Sequence, residues 1–176
     1  MHRLGRLAAC LLVLGACRSA APPPAPSLQV VIVRHAETAP DGTRDPSLSD
    51  AGRERAAALA SRLAPERVVA VYATEYRRTQ ETARAIADAA GLDVTVEPVG
   101  GSVDAFIDRL ADRVRGHVAA DGGTVVVVGH SNTVPALAEA LAGEPVAPIA
   151  EDEYDRVVGV TLTATGGRLT APPAPR

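Results

Sequence analysis

Histidine and arginine residues stand within a few residues of the ends of three apolar runs of the chain. Arg34 and His35 follow the first run, Arg77 and Arg78 the second, and His130 a run of four valines. If these runs are parallel strands, their carboxyl ends form the edge at which open α/β sheets bind ligands, and helix N-termini there favour anions. Two histidines with arginines, without His-Glu-x-x-His spacing, fit phosphoryl chemistry better than zinc chemistry. We therefore predict an anion site that uses no metal and no cofactor.

The elements that must position these side chains alternate along the chain. Short β-branched runs are separated by longer segments of helical period, which predicts an α/β fold with a largely parallel sheet. The runs at 28–33 and 124–128 are almost wholly apolar, as strands covered on both faces must be. The other strands are predicted at residues 68–73, 94–97 and 157–162, and the helices at residues 50–63, 75–90, 103–114 and 134–141.

Polar residues and glycines mark the ends of these elements. Ser49 is the predicted N-cap of the first helix and Thr74 that of the second, which Gly91 ends. Gly166 and Gly167 predict a turn after the last strand, followed by a short tail.

Length and composition limit the classes of function. A chain of 176 residues is long enough for one domain with a core. It has no Trp, one Phe and three Tyr, so it offers no aromatic platform for nucleic-acid bases. The net charge is −3 and the basic residues are dispersed, which argues against nucleic acid as a partner. All 18 basic residues are Arg, which can bind a phosphate with two parallel hydrogen bonds.

Four segments resemble signatures of the histidine phosphatase superfamily, which includes cofactor-dependent phosphoglycerate mutases. Residues 33–38, Val-Arg-His-Ala-Glu-Thr, are similar to its Arg-His-Gly-x-Thr motif, with Ala in place of Gly. Residues 72–83 are similar to its Ser-Pro-Leu-x-Arg-Ala-x-Gln-Thr-Ala segment, and Gly-His-Ser at 129–131 matches its second histidine. Leu-Ser-x-x-Gly at 48–52 matches the start of its first helix. The resemblance covers about residues 28–141 and implies a three-layer sandwich, a mainly parallel sheet flanked by helices.

The resemblance also implies a role for each matched residue. His35 would be the nucleophile, which holds the phosphoryl group as phosphohistidine until water displaces it. Arg34, Arg78 and His130 would form a clamp that offsets the charge on the phosphate oxygens. Arg77 is predicted to be solvated, because adjacent helical residues point about 100° apart. The predicted partner is a small phosphorylated substrate or a phosphoprotein.

The general acid that protonates the leaving oxygen has several candidates. Many members of the family use a Glu after the third strand, and Glu97 is the nearest match by order; the alternative is a solvated Glu at a strand end. Glu37 is predicted to orient an arginine. Asp41 is either an acid or outside the site. The acidic residues 151–155 are predicted to form a solvated loop, with the pocket rim as the alternative.

The N-terminal residues have the layout of an export signal. Basic residues precede an apolar run too short to span a bilayer, and the run ends in Leu-Gly-Ala-Cys, which resembles the lipobox of bacterial lipoproteins. We predict a signal peptide at 1–17 with Cys17 as the lipidated residue, a Pro-rich linker at 18–27 and a domain at 28–172. The alternative is an ordinary secretory signal. Lipidation predicts a membrane-anchored domain in the periplasm or at the cell surface.

These features together predict an exported, metal-independent phosphatase that hydrolyses phosphomonoesters or related phospho-compounds. Mutase activity is not expected, because a glycolytic mutase needs cytoplasmic sugar phosphates and a lid that keeps water from the phosphoenzyme. The alternative is a non-catalytic lipoprotein that binds a phosphorylated ligand in the retained pocket.

Overall fold

The computed structural model describes residues 26–118 and 122–173. The predicted signal peptide with Cys17, and nearly all of the predicted linker, lie outside the described residues. Within the two described ranges, no helix combines the length and the apolar character that crossing a bilayer requires.

Within residues 26–118 and 122–173, six strands form one sheet at the centre of the domain. They are β1 (Leu28–Arg34), β2 (Val68–Ala73), β3 (Val94–Val96), β4 (Gly123–Gly129), β5 (Val157–Thr163) and β6 (Gly166–Thr170). Their spatial order is β3-β2-β4-β1-β5-β6. The first four in this order are parallel, and β5 and β6 continue the sheet as antiparallel strands. The predicted mainly parallel sheet is confirmed, with β1 and β4 at its centre.

In the part of the chain that the structure describes, four helices cover the two faces of the sheet and make it the middle of three layers. They are α1 (Asp50–Leu63), α2 (Arg77–Ala90), α3 (Val103–Arg115) and α4 (Thr133–Ala142). One apolar cluster joins the sheet to α3 and α4, and a second joins its other face to α1 and α2. The predicted three-layer α/β sandwich is therefore confirmed.

The central strands are apolar on both faces because both faces are covered. In β1, Val30 and Ile32 belong to the cluster beneath α3 and α4, whereas Val31 and Val33 belong to the cluster beneath α1 and α2. All four side chains are at most 3% exposed. Burial of each contributes about 1.5–3 kcal/mol relative to exposure, and the alternation of the two faces holds the strand in register.

Helix ends agree with the sequence prediction at α1 and differ at α2. The Ser49 hydroxyl accepts a hydrogen bond from the N–H of Gly52, and Gly91 is left-handed at the end of α2, as predicted. The predicted cap at Thr74 is wrong: α2 begins at Arg77, and its N-cap Tyr76 makes no side-chain cap bond. The Thr74 hydroxyl is buried and contacts side chains in the interior instead.

The C-terminal segment also differs from its prediction. Gly166 and Gly167 do not form the turn itself; they begin β6, which pairs with β5 across a turn at residues 164–165. The sequence pattern does not indicate this strand, because it begins with two glycines and Gly is disfavoured in strands.

Gly52 in α1 provides a test of packing at the start of the first helix. A Cβ at this position would overlap the backbone carbonyl of Glu37. We expect Gly52→Ala to lower the free energy of unfolding by roughly 1–3 kcal/mol, as overpacking does elsewhere. Gly100→Ala is the matched control, since a Cβ there meets no atom within 4 Å. Urea unfolding of both variants measures the difference, and equal midpoints would contradict this account.

Candidate active site

The pairing of β1 with β4 places two histidines side by side. The strands are parallel and pair Arg34 with Gly129, and the N–H of His35 donates to the Gly129 carbonyl at 2.9 Å. The next residue of each strand end is therefore a histidine, His35 on β1 and His130 on β4. Their ring centroids are 5.4 Å apart, with the planes at 67°.

The His35 ring is held in one tautomer and kept neutral. Its Nδ1 lies 2.8 Å from the Ala36 carbonyl, which can only accept, so Nδ1 donates and Nε2 keeps its lone pair. Burial lowers the pKa of His35 from 6.5 to about 4, and the positive charges of Arg78 and Arg34 act in the same direction. A neutral imidazole with a free Nε2 is the form that can act as a nucleophile.

A chain of two threonine hydroxyls fixes the tautomer of His130. The Thr79 hydroxyl donates its proton to the Tyr76 carbonyl at 2.7 Å. In the contact of 2.8 Å between the two hydroxyls, Thr74 is therefore the donor and Thr79 the acceptor. The Thr74 oxygen then accepts from Nε2–H of His130 at 3.0 Å, which leaves Nδ1 without a proton in the neutral ring. The pKa of His130 is lowered to about 3, first by burial and then by the positive charges of His35, Arg78 and Arg34.

Arg78 lies at the start of α2 and lines the same cavity as the histidines. Its guanidinium stacks over the Tyr76 ring at 4.5 Å and lies 3.6 Å from the Asp45 carboxylate, with 18% of the side chain exposed. The neighbouring Arg77 does not line the cavity; its exposed side chain contacts Ser47 instead. The structure therefore directs one of the two adjacent arginines to the histidines.

Arg34 is buried and binds the loop between α4 and β5. Its Nη1 donates to the carbonyls of Ala150, Glu151 and Glu153 at 2.9, 2.7 and 3.2 Å. Its guanidinium also stacks over the Tyr154 ring at 4.3 Å. Within the described ranges, Nε of Arg34 has no hydrogen-bond partner. Arg34 thus contributes positive charge beside His35 and at the same time holds this loop in place.

These groups surround one cavity of about 330 Å³ at the carboxyl ends of β1 and β4. Its walls include His35, His130, Arg34, Arg78 and Glu151. Guanidinium groups and hydrogen-bonding side chains around two neutral histidines suit a phosphate-sized anion. In the part of the chain that the structure describes, no group of three or more His, Cys, Asp or Glu side chains is placed to hold a metal ion.

A second cavity of about 250 Å³ lies between α1 and residues 154–157. It contains Arg55, Arg62 and Arg156, but each of these already has a partner. Arg55 binds the Glu37 carboxylate through both oxygens, Arg62 binds the Pro173 carbonyl and Arg156 binds Glu153. The cavity with the two histidines is therefore the candidate active site.

The structure does not bring Glu97 to this cavity. Its carboxylate is 9% exposed and pairs with Arg113 at 2.8 Å and Arg109 at 3.7 Å, both on α3. Glu37 orients an arginine, as expected, but its partner is Arg55, whose hydrogen bonds lower the pKa of that carboxyl. Asp41 is exposed and accepts hydrogen bonds from Thr43. Each of the three carboxylates that the sequence suggested as candidates thus binds another side chain or a backbone N–H group.

Sequence reasoning gave too little weight to Glu151 and two tyrosines. Glu151 is the single carboxylate among the described residues that line the cavity. The Tyr76 ring meets His130 edge to face at 5.2 Å, and the Tyr154 ring lies 6.2 Å from His35. The acidic run at 151–155 was the available signal for Glu151. No local pattern marks the tyrosines, because their contacts depend on how loops fold back over the sheet.

Comparison with known proteins finds a family match for part of this chain. Residues 30–99 match the model of the histidine phosphatase superfamily (branch 1). The chain is 34% identical over 101 residues to the probable phosphoglycerate mutase GpmB of Enterobacter sp. (strain 638), an alignment that covers 51% of this chain and 47% of that protein. The chain thus spans about half the length of this curated relative.

Solved structures of similar fold extend over most of the domain. The protein histidine phosphatase SixA complexed with tungstate has a TM-score of 0.67 and 21% identity, covering 84% of this chain and 97% of that chain. A phosphoglycerate mutase from Bacillus anthracis str. Sterne has a TM-score of 0.67 and 14% identity, covering 84% and 93%. At these identities the likeness shows a common fold.

The buried histidines make folding stability depend on pH. The pKa of each ring falls from 6.5 to about 4 in His35 and about 3 in His130 on folding, so the unfolded chain binds more protons in that window. Stability is therefore full above about pH 6.5 and is lost as the pH falls. Between about pH 7.5 and about pH 5 we expect a loss on the order of 1–2 kcal/mol per histidine.

Urea unfolding at these two pH values measures the loss. The double variant His35→Gln/His130→Gln lacks both titrating rings, so most of the difference between the two pH values should disappear. An equally large difference in the double variant would assign the pH dependence to other groups.

Proposed function

We propose that this chain is a phosphatase that acts through phosphohistidine on His35. One support is the match of residues 30–99 to the model of the histidine phosphatase superfamily. Its substrates are phosphomonoesters or related phospho-compounds, either small molecules or phosphoproteins. The observation that carries the proposal is the free Nε2 of a buried, neutral His35, in a cavity that also holds Arg78 and His130.

The proposed reaction proceeds in two steps. The lone pair on Nε2 of His35 attacks phosphorus, and the bond to the leaving oxygen breaks as the phosphoryl group moves to the ring. Arg78 and Arg34 offset the negative charge of the phosphoryl oxygens. A bound phosphate also raises the pKa of His130, because a nearby negative charge favours the protonated ring. The protonated His130 then donates from Nδ1 to a phosphoryl oxygen. In the second step, water attacks phosphorus and the N–P bond to His35 breaks.

Hydrolysis, rather than transfer to a second substrate, is part of this proposal. The curated relative is named as a probable phosphoglycerate mutase, and a mutase must keep water from its phosphoenzyme. Here Glu151 lines the cavity with 90% of its side chain exposed, so water reaches the rim of the site. This exposure favours hydrolysis.

The first test is release of p-nitrophenol from p-nitrophenyl phosphate by the full chain, with a chelator present. We expect wild-type activity to persist, His35→Ala to abolish it and Arg78→Ala to lower kcat by about 10²–10³-fold, the cost of losing one charge-stabilising group. Arg77→Ala is the matched control and should retain activity, since its side chain lies outside the cavity. Equal release of inorganic phosphate and nitrophenol identifies hydrolysis.

Three results would contradict the proposal. Activity that the chelator removes would indicate a metal-dependent reaction, and activity that survives in His35→Ala would exclude this nucleophile. A wild-type protein that binds inorganic phosphate but shows no turnover from acidic to neutral pH would favour the non-catalytic alternative, a lipoprotein that binds a phosphorylated ligand.

We further propose that Cys17 carries a lipid that anchors the domain to a bacterial membrane, in the periplasm or at the cell surface. The support is the lipobox-like Leu-Gly-Ala-Cys at residues 14–17 and the Pro-rich spacer after it. In cells fed labelled palmitate, we expect the label in wild type and in the control Cys10→Ser, and its loss in Cys17→Ser. Label retained in Cys17→Ser would exclude this anchor.

A further inference from the structure

Glu151 contacts the turns that carry both histidines. Its Oε1 accepts a hydrogen bond from the Ser131 hydroxyl at 3.3 Å, and its Oε2 lies 3.5 Å from Nη2 of Arg34. Ser131 directly follows His130, and Arg34 directly precedes His35. The carboxylate therefore spans the mouth of the cavity between the two strand ends.

The backbone beneath Glu151 is anchored while its side chain remains accessible. Nη1 of Arg34 binds the carbonyls of residue 151 and of its neighbours Ala150 and Glu153, and the Arg34 side chain is 6% exposed. The Glu151 side chain is 90% exposed. A fixed main chain with a solvent-accessible carboxylate suits a group that must reach first a leaving oxygen and then a water molecule.

We infer that Glu151 is the general acid and base of the reaction, an assignment that rests on the proposed function. In the first step, the P–O bond breaks, its electron pair goes to the leaving oxygen, and that oxygen takes the proton of the Glu151 carboxyl. In the second step, water attacks phosphorus, its proton goes to the Glu151 carboxylate, and the electron pair of the N–P bond returns to Nε2 of His35. The products are an alcohol and inorganic phosphate, with Glu151 protonated again.

The other candidate for this role is held elsewhere. The Glu97 carboxylate is buried against two guanidinium groups of α3 and does not line the cavity. A carboxylate bound in this way cannot reach the leaving oxygen without breaking both ion pairs. Among the described residues, Glu151 has a single ion pair, at 3.5 Å from Arg34 and in contact with solvent, and such exposed pairs are weak.

The test compares Glu151→Gln with Asp152→Asn in the full chain. Asp152 is the adjacent exposed carboxylate and does not line the cavity, so both variants lose one negative charge from the same loop. The substrates are p-nitrophenyl phosphate, whose leaving group departs without a proton, and β-glycerophosphate, whose alkoxide needs one. Rapid acid-free quenching of each reaction measures the phosphohistidine formed.

With β-glycerophosphate, we expect Glu151→Gln to lower kcat/KM by about 10²-fold or more, the usual contribution of general acid catalysis. With p-nitrophenyl phosphate, the first step should persist and the second should slow, so nitrophenol appears as a burst while phosphohistidine accumulates. Asp152→Asn should behave as wild type with both substrates.

Three outcomes would overturn the inference, and they separate it from the proposed function. If Glu151→Gln matches Asp152→Asn on both substrates while phosphohistidine forms, the phosphatase assignment stands and Glu151 is not the acid. A uniform loss on both substrates without accumulated phosphohistidine would indicate a binding or structural role. If wild type forms no phosphohistidine from either substrate, the proposed function fails and the inference fails with it.

Discussion

The in-register parallel pairing of β1 with β4 is the constraint on which the site depends. It places His35 next to His130 because the strands end together, with Arg34 opposite Gly129. Strand β2 pairs with the other edge of β4, with Ala73 opposite Val128, so the next residue, Thr74, lies within reach of the His130 ring. A slip of one residue would turn each side chain of a strand to the opposite face and separate the histidines.

Apolar packing on both faces of the sheet supports this register, and it also sets the chemistry of the histidines. The same burial that stabilises the strands removes water from the rings, which makes the protonated form costly and lowers both pKa values. A nucleophile with a free lone pair is thus a consequence of the fold. Because the neutral histidines are buried, the protein loses stability when the pH falls.

Arginine serves two purposes in this domain. Some guanidinium groups neutralise carboxylates away from the cavity, such as Arg113 with Glu97 and Arg55 with Glu37, whereas Arg78 lines the cavity with the histidines and also pairs with Asp45. Arg34 combines both purposes, because it is adjacent to the nucleophile and also pairs with the Glu151 carboxylate. It binds main-chain carbonyls of the loop after α4 as well. Such a loop can change its sequence without disturbing the sheet, so reactivity and specificity can vary on a constant fold.

The sequence by itself determined the order of the elements up to β5, the mainly parallel sheet and the strand ends near which the histidines and arginines stand, while the three layers were implied by the resemblance to a family. These features are local: periodicity identifies strands and helices, and short motifs identify the side chains that follow them. The predictions at Thr74 and at β6 were wrong for local reasons. A Thr before a helix is typical of an N-cap, and two glycines after a strand are typical of a turn.

Tertiary structure decided which carboxylate lies at the cavity and what each arginine binds. Glu97 follows the third strand as the family pattern suggested, yet its side chain pairs with an arginine of α3. Glu151 lies near the histidines because Arg34 donates hydrogen bonds to carbonyls 116 to 119 residues further along the chain. A side chain at a strand end can point in several directions, and its partners come from distant segments. Local sequence places such a residue at the edge of the sheet, but only the packed chain selects its contacts.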